Sequence, residues 1–270
     1  MLTSSDLNTE WRKVASTIYK KPVDSKIFGS VEVDITELEK FITQKRKEGL
    51  KITLTHIITL IVGRAFKYEI PEMNSFMRRG KVVPRNQIDA MVSVLQSNGE
   101  MGSVKIENTD KLTLLEISDM LNERVQQSRK GDENKAMQKK SFLAKLPWPF
   151  RAWFFQIYKT ITINLGMSIP FTGLNSNSFG SYVISNIGSI GLDQGYGALL
   201  PSGNVSLVLI LGGDKKKPVV VDDEIVIRKI LSLSVTLDHR VIDASHGARL
   251  FRHIKYMIKN PQLLENPPEN

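Results

Sequence analysis

The sequence predicts a single domain of the α/β (α+β) class. Three observations carry this. Apolar residues recur at helical spacing through the first half of the chain and again near its end. Alternating, β-branched segments dominate residues 182–237. The two kinds of segment are interleaved, with no internal repeat and no low-complexity linker between them. A chain of 270 residues that is 41% hydrophobic is long enough to bury one large core.

Trp11, Val14, Ala15 and Ile18 fall at helical spacing and predict a short amphipathic first helix. Residues 28–34 alternate as a strand does. Residues 35–47 read as a helix that stops ahead of Gly49, a C-terminal cap residue. Leu54, Ile57, Ile58, Ile61, Val62 and Ala65 form a broad apolar face, so this helix is expected to be buried. Residues 88–95 are strand-like. Thr113 followed by Glu116 is a capping box, which opens a helix carrying Leu114, Ile117, Leu121 and Val125. Residues 129–145 are Lys-rich and read as exposed, and residues 146–165 are aromatic and apolar. Strands are predicted at 182–185, 205–211, 218–221, 224–227 and 230–237, with Asp222-Asp223 as a hairpin turn. Leu250, Phe251, Ile254, Met257 and Ile258 mark a last helix, ended by Asn260-Pro261.

Several function classes fall away on composition. With no Cys there is no disulfide, thiolate metal ligand or cysteine nucleophile. The opening MLTSSDLNTEWRKV lacks the basic-then-apolar pattern of a secretory signal, so the expected setting is cytoplasmic, with peripheral membrane contact open. A formal charge of +9 suits nucleic acid, anionic lipid or an anionic cofactor alike. No nucleic-acid-binding motif accompanies it, and no nucleic-acid partner is expected.

Of the four histidines, His56, His239, His246 and His253, one has a chemical setting. His239 directly follows the alternating run Ser232-Leu233-Ser234-Val235-Thr236-Leu237, between Asp238 and Arg240, with Asp243 four residues on. A histidine at a strand end, on a loop before a helix, faces a pocket more readily than a core. Asp243 is placed to brace the loop through an ion pair. His246 and His253 lie seven apart on the last helix without a third ligand, His56 sits in an apolar helix, and no metal is expected. Gly188, Gly191, Gly195 and Gly197 follow no nucleotide-binding pattern.

The stretch LSLSVTLDHRVIDASHGARLFRHIKYMIKNPQLL is similar to the C-terminal signature of the dihydrolipoyl acyltransferase component of 2-oxoacid dehydrogenase complexes, with its His-x-x-x-Asp-Gly pattern. Gly180-Ser-Tyr-Val-Ile-Ser185-Asn186-Ile-Gly188 resembles that family's Thr-Ile-Ser-Asn-Leu-Gly strand. Ile70-Pro71-Glu72-Met73-Asn74-Ser75 resembles its Pro-Glu-Leu-Asn segment, and Trp11-Arg12-Lys13-Val14-Ala15 its opening helix. The likeness runs in order from about residue 10 to 265, with one interruption at about 130–178.

The resemblance implies a chloramphenicol-acetyltransferase-like sandwich, a mixed sheet covered by helices, assembled as a homotrimer with active sites between subunits. It implies that His239 is the general base; histidine ordinarily titrates near neutrality, which suits that task. It implies that Ser185 donates to the oxyanion, that Asp243 is a structural carboxylate and that Arg12 is its partner. The expected substrate is a coenzyme A thioester, with no covalent lipoyl group on this chain. The start at Met1, with no lipoyl domain, subunit-binding domain or Ala/Pro linker before residue 10, predicts a stand-alone enzyme. A core acyltransferase served by lipoyl domains on another chain, or a silent trimeric scaffold, are the alternatives.

The sequence departs from the family at Ala244, where a Gly is expected, at Thr55, where Asn is common, and at 96–102, in place of a Pro-rich strand pair. The added segment carries the basic and aromatic run of residues 142–165, for which packing within the trimer is one reading and contact with an acyl chain or an anionic membrane surface the other.

Overall fold

The computed structural model describes Leu7 and residues 25–96, 99, 101–130, 147, 149–169, 177–200 and 203–266. The first expected helix with Arg12, most of the Lys-rich stretch, and Trp148 lie outside the described residues.

Six strands make one mixed sheet in the order β1-β8-β7-β6-β4-β5. They are β1 (Lys26–Asp34), β4 (Ala90–Leu95), β5 (Met101–Ile106), β6 (Tyr182–Asn186), β7 (Leu207–Val221) and β8 (Glu224–Asp238). β6 runs parallel to β4 and β7; the other pairs are antiparallel. A separate hairpin joins β2 (Ser75–Arg78) to β3 (Lys81–Pro84).

The helices are α1 (Thr36–Lys47), α2 (Leu54–Tyr68), α3 (Leu114–Arg129), α4 (Phe150–Lys159) and α5 (Ala244–Lys259). The sheet's two faces divide by strand alternation. Tyr182, Ile184, Leu207, Leu209, Leu233 and Val235 join the main core with α1, α2, α3 and α5. Their neighbours Val208 and Ile210 turn the other way, into a smaller cluster with Met91, Phe179, Leu199 and Val205. α2 is the centre of the main core, buried without a break from His56 to Phe66.

The expected strands at 205–211 and 218–221 are one strand, β7, with a register shift between Leu211 and Asp214. Gly212 explains it. A Cβ there would collide with the carbonyl oxygen of Asp193, so glycine lets the 187–193 loop lie against the strand. That loop is held by Ile187 N–H to Leu211 O and Gly213 N–H to Leu192 O, both 2.9 Å. Asp222 and Asp223 take φ of 52° and 64°, as a two-residue hairpin of primed type requires. The β2–β3 hairpin, β5 and α4 have no counterpart among the elements expected from sequence.

His56 carries a consequence for stability. Its Nδ1 lies 3.2 Å from the Thr53 N–H and 2.7 Å from Thr53 Oγ1, closing the start of α2. Burial, with the Arg46 charge nearby, pushes its pKa down to about 4. The unfolded chain therefore takes up a proton near pH 6.5 that the folded chain refuses. This stability is complete above about pH 6.5 and is lost as pH falls towards 4, by about 2 kcal/mol at pH 5. Denaturant titrations near neutrality and at about pH 5 check it: wild type is expected to lose about 2 kcal/mol more than His56→Asn.

Candidate active site

β8 delivers the chain to the loop that carries His239. At the end of the strand Asp238 pairs in register with Lys26. The Asp238 N–H donates to Ser206 O at 3.0 Å and the His239 N–H to Ser25 O at 2.6 Å, so the backbone is clamped as it leaves the sheet. Asp238 and Arg240 are both buried and grip each other side by side. Arg240 Nε lies 2.9 Å from Asp238 Oδ1, Nη2 reaches Oδ2, and the Arg240 N–H also donates to Oδ1. Such a forked, charge-assisted pair fixes geometry as well as adding energy. It braces the loop; the expected support from Asp243 involves Arg12, which lies outside the described residues.

The His239 ring is set by this turn. Its Nδ1 lies 2.9 Å from the carbonyl oxygen of Ile242. A carbonyl only accepts, so Nδ1 carries the hydrogen and the lone pair of the neutral ring sits on Nε2. Asp243 Oδ1 is 3.3 Å from the same Nδ1. A proton arriving at Nε2 thus makes an imidazolium beside a carboxylate. Asp243 is also the N-cap of α5, with extended backbone, and its N–H donates to His246 Nδ1 at 3.1 Å. Ala244 begins the helix with no positive φ, so the loss of the family's glycine leaves no backbone strain here.

Ser185 is buried on β6, in register with Ile210 of β7, which pairs with Ser234 of β8. It faces away from the main core. Asn186 beside it lies with Nδ2 3.3 Å from Thr55 Oγ1 and takes the Ser189 N–H on Oδ1, which ties the end of β6 to the start of α2.

The register also fixes how far apart the two expected catalytic residues are. Ser185 lies two strands from β8, level with Ser234, and His239 is five residues further along. At about 3.3 Å per residue and 4.8 Å per strand, that is roughly 20 Å between Cα atoms. A single chain therefore brings His239 and Asp243 together, but not Ser185 to them.

A groove of about 500 Å³ runs between β1 and the first turns of α5. Ile27, Phe28, Val235 and Phe251 make it apolar, and Arg252 and Lys255 add two cations.

The family model of the 2-oxoacid dehydrogenases acyltransferase catalytic domain matches residues 9–143 and 174–265. The chain belongs to that family. Within curated relatives, the acyltransferase domain is 27% identical over 240 residues to the dihydrolipoyllysine-residue acetyltransferase component of the pyruvate dehydrogenase complex of Staphylococcus epidermidis. The match covers 86% of this chain and 45% of that protein, so the chain spans about half the length of the curated relative.

Among solved structures, a probable dihydrolipoamide acetyltransferase from Listeria monocytogenes superposes with a TM-score of 0.64 at 20% identity. It covers 92% of this chain and 88% of that one. A chloramphenicol acetyltransferase gives 0.53 at 16% identity, covering 93% and 96%. The acyltransferase domain thus has the chloramphenicol-acetyltransferase-like fold, with a mixed sheet and covering helices. Residues 144–173, which include α4, fall outside the matched segments.

Proposed function

We propose that this domain transfers an acyl group between a coenzyme A thioester and a second nucleophile, in a homotrimer whose sites lie between subunits. The observation that carries the reading is the set of the His239 ring, with Nδ1–H held by Ile242 O and Asp243, and Nε2 the basic nitrogen. Nε2 takes the proton of the incoming thiol, and its sulfur attacks the thioester carbonyl. The oxyanion of the tetrahedral intermediate accepts a hydrogen bond from Ser185 of a neighbouring protomer. Collapse breaks the original carbon–sulfur bond, and the departing thiolate takes the proton back from His239. Both substrates meet in one site, so no acyl-enzyme is required.

Ser185 supports this reading through its distance: a serine roughly 20 Å from His239 in its own chain joins the chemistry only across an interface. The groove beside α5 supports the choice of substrate. Its apolar walls suit a flexible arm, and Arg252 and Lys255 suit an anionic end.

Likeness to a pyruvate dehydrogenase component supports a second reading, a core acyltransferase served by lipoyl domains on another chain. One assay addresses both. Acetyl-coenzyme A is supplied with dihydrolipoamide or with simple thiols, and its conversion to free coenzyme A is followed by chromatographic separation of the two. Saturable release with either acceptor is the expected result, and a clear preference for dihydrolipoamide selects the second reading. No thioester binding by calorimetry and no release with any acceptor would leave a scaffold.

A further inference from the structure

We propose that α4 lies on an anionic membrane surface and holds the domain there, independently of the acyl-transfer reading. Phe150, Trp153, Phe154 and Ile157 recur at i, i+3, i+4 and i+7, so they share one side of the helix. Their exposures are 59%, 60%, 44% and 37%, where side chains of this kind are normally covered. Phe155 and Tyr158 are half-buried with ring centres 6.0 Å apart. Burial raises the Tyr158 pKa above its ordinary value.

The helix is fastened at its C-terminal end. The wider turn Thr160–Asn164 that follows it buries Thr162 and Ile163. Arg79 N–H donates to Asn164 O at 3.0 Å, and Arg78 Nε to Leu165 O at 3.1 Å, both from the β2–β3 hairpin. The aromatic ridge is therefore carried outward on a fixed support. Beyond it Leu165 and Met167 add further exposed apolar surface.

Charge selects the occupant. Residues 134–192 contain no Asp or Glu, while Lys135, Lys139, Lys140, Lys145, Arg151 and Lys159 are all cations. If two copies met through this acid-free, basic segment, like charge would face like charge. An anionic lipid surface is the complement, and Trp with Phe on one face of a basic helix is the pattern that settles at the headgroup boundary. Ten residues span about 15 Å, which suits lying in the interface rather than crossing it. Among the described residues no helix is long and apolar enough to cross. Family membership does not account for the ridge, because the matched segments leave it out.

Vesicle flotation of the whole chain tests this, with phosphatidylcholine alone and phosphatidylcholine mixed with phosphatidylglycerol, at low and high salt. Wild type is expected to float with the mixed vesicles at least about tenfold more than with the neutral ones, and to be released by salt. Its tryptophan emission is expected to shift to the blue on binding. Trp153→Ser/Phe154→Ser alters only exposed side chains and is expected to lose flotation at an unchanged melting temperature and mass. The proposal is overturned by wild type that does not float, by equal binding to neutral vesicles, or by a double variant that floats as well. A double variant of lower mass by light scattering would overturn it too, since the ridge would then be covered by another copy of the chain.

Discussion

Replacing His239 by alanine is expected to lower turnover by about 10²–10⁴-fold, the range a positioned general base contributes. Folding is expected to survive. The ring is partly exposed and holds the carbonyl of Ile242, but the loop itself is fastened by other groups. Those groups are the Asp238–Arg240 fork and the backbone bonds to Ser25 and Ser206, none of which uses the imidazole. Melting temperature and turnover should therefore separate cleanly in this variant. A matching fall in both would mean that His239 is structural and that the base lies elsewhere. His239→Gln distinguishes further, since it keeps a polar group on the loop and still provides no base.

Mixing two inactive variants is expected to restore activity. Ser185→Ala alone should lower turnover by about 10²–10³-fold, as loss of a single oxyanion donor does. If each site takes His239 from one protomer and Ser185 from the next, a trimer assembled from equal amounts of Ser185→Ala and His239→Ala chains contains some sites with both residues intact. The chance is one half for each side, so about a quarter of the sites recover in a symmetric ring. Chains are dissociated and reassembled together, and exchange is checked by two tags of different mass. Recovery near a quarter supports the shared site. Mixed oligomers with no recovery would place both residues in one chain's chemistry, against the roughly 20 Å that the register sets between them.

Much of the framework was legible because local chemistry agreed with the final structure. Thr113 and Glu116 form the reciprocal cap that their spacing announced, with Glu116 Oε2 2.8 Å from the Thr113 N–H. Gly49, past the end of α1, has the positive φ expected of its position. The apolar face of 54–65 is the buried centre of α2. The two aspartates between β7 and β8 turn as read. Other elements left no local signature. Ser75–Arg78 is four residues long, and its strand exists only through pairing with β3. β5, Met-Gly-Ser-Val-Lys-Ile, is short and of mixed polarity, and its ladder with β4 makes it a strand. α4 stands out in sequence as an aromatic stretch, and Phe150, Trp153, Phe154 and Ile157 at helical spacing are the signal that marks it as a helix.

By itself the sequence determined which residues are able to do chemistry. An absence of cysteine, one histidine between Asp238 and Arg240 at the end of an alternating run, and a serine before Asn186 all follow from residue type and order. So does membership of the acyltransferase family, whose motifs lie in register along the chain. Tertiary structure decided how those residues stand to one another. Only the folded loop shows that Asp238 and Arg240 grip each other, and that Asp243 Oδ1 sits 3.3 Å from the His239 ring. Only the sheet register shows that Ser185 and His239 lie at separated points of one protomer. The physical reason is that hydrogen bonds and ion pairs depend on distances set by strand pairing and chain reversal. A sequence records the partners available to a residue, and the pairing of distant strands determines which of them it meets.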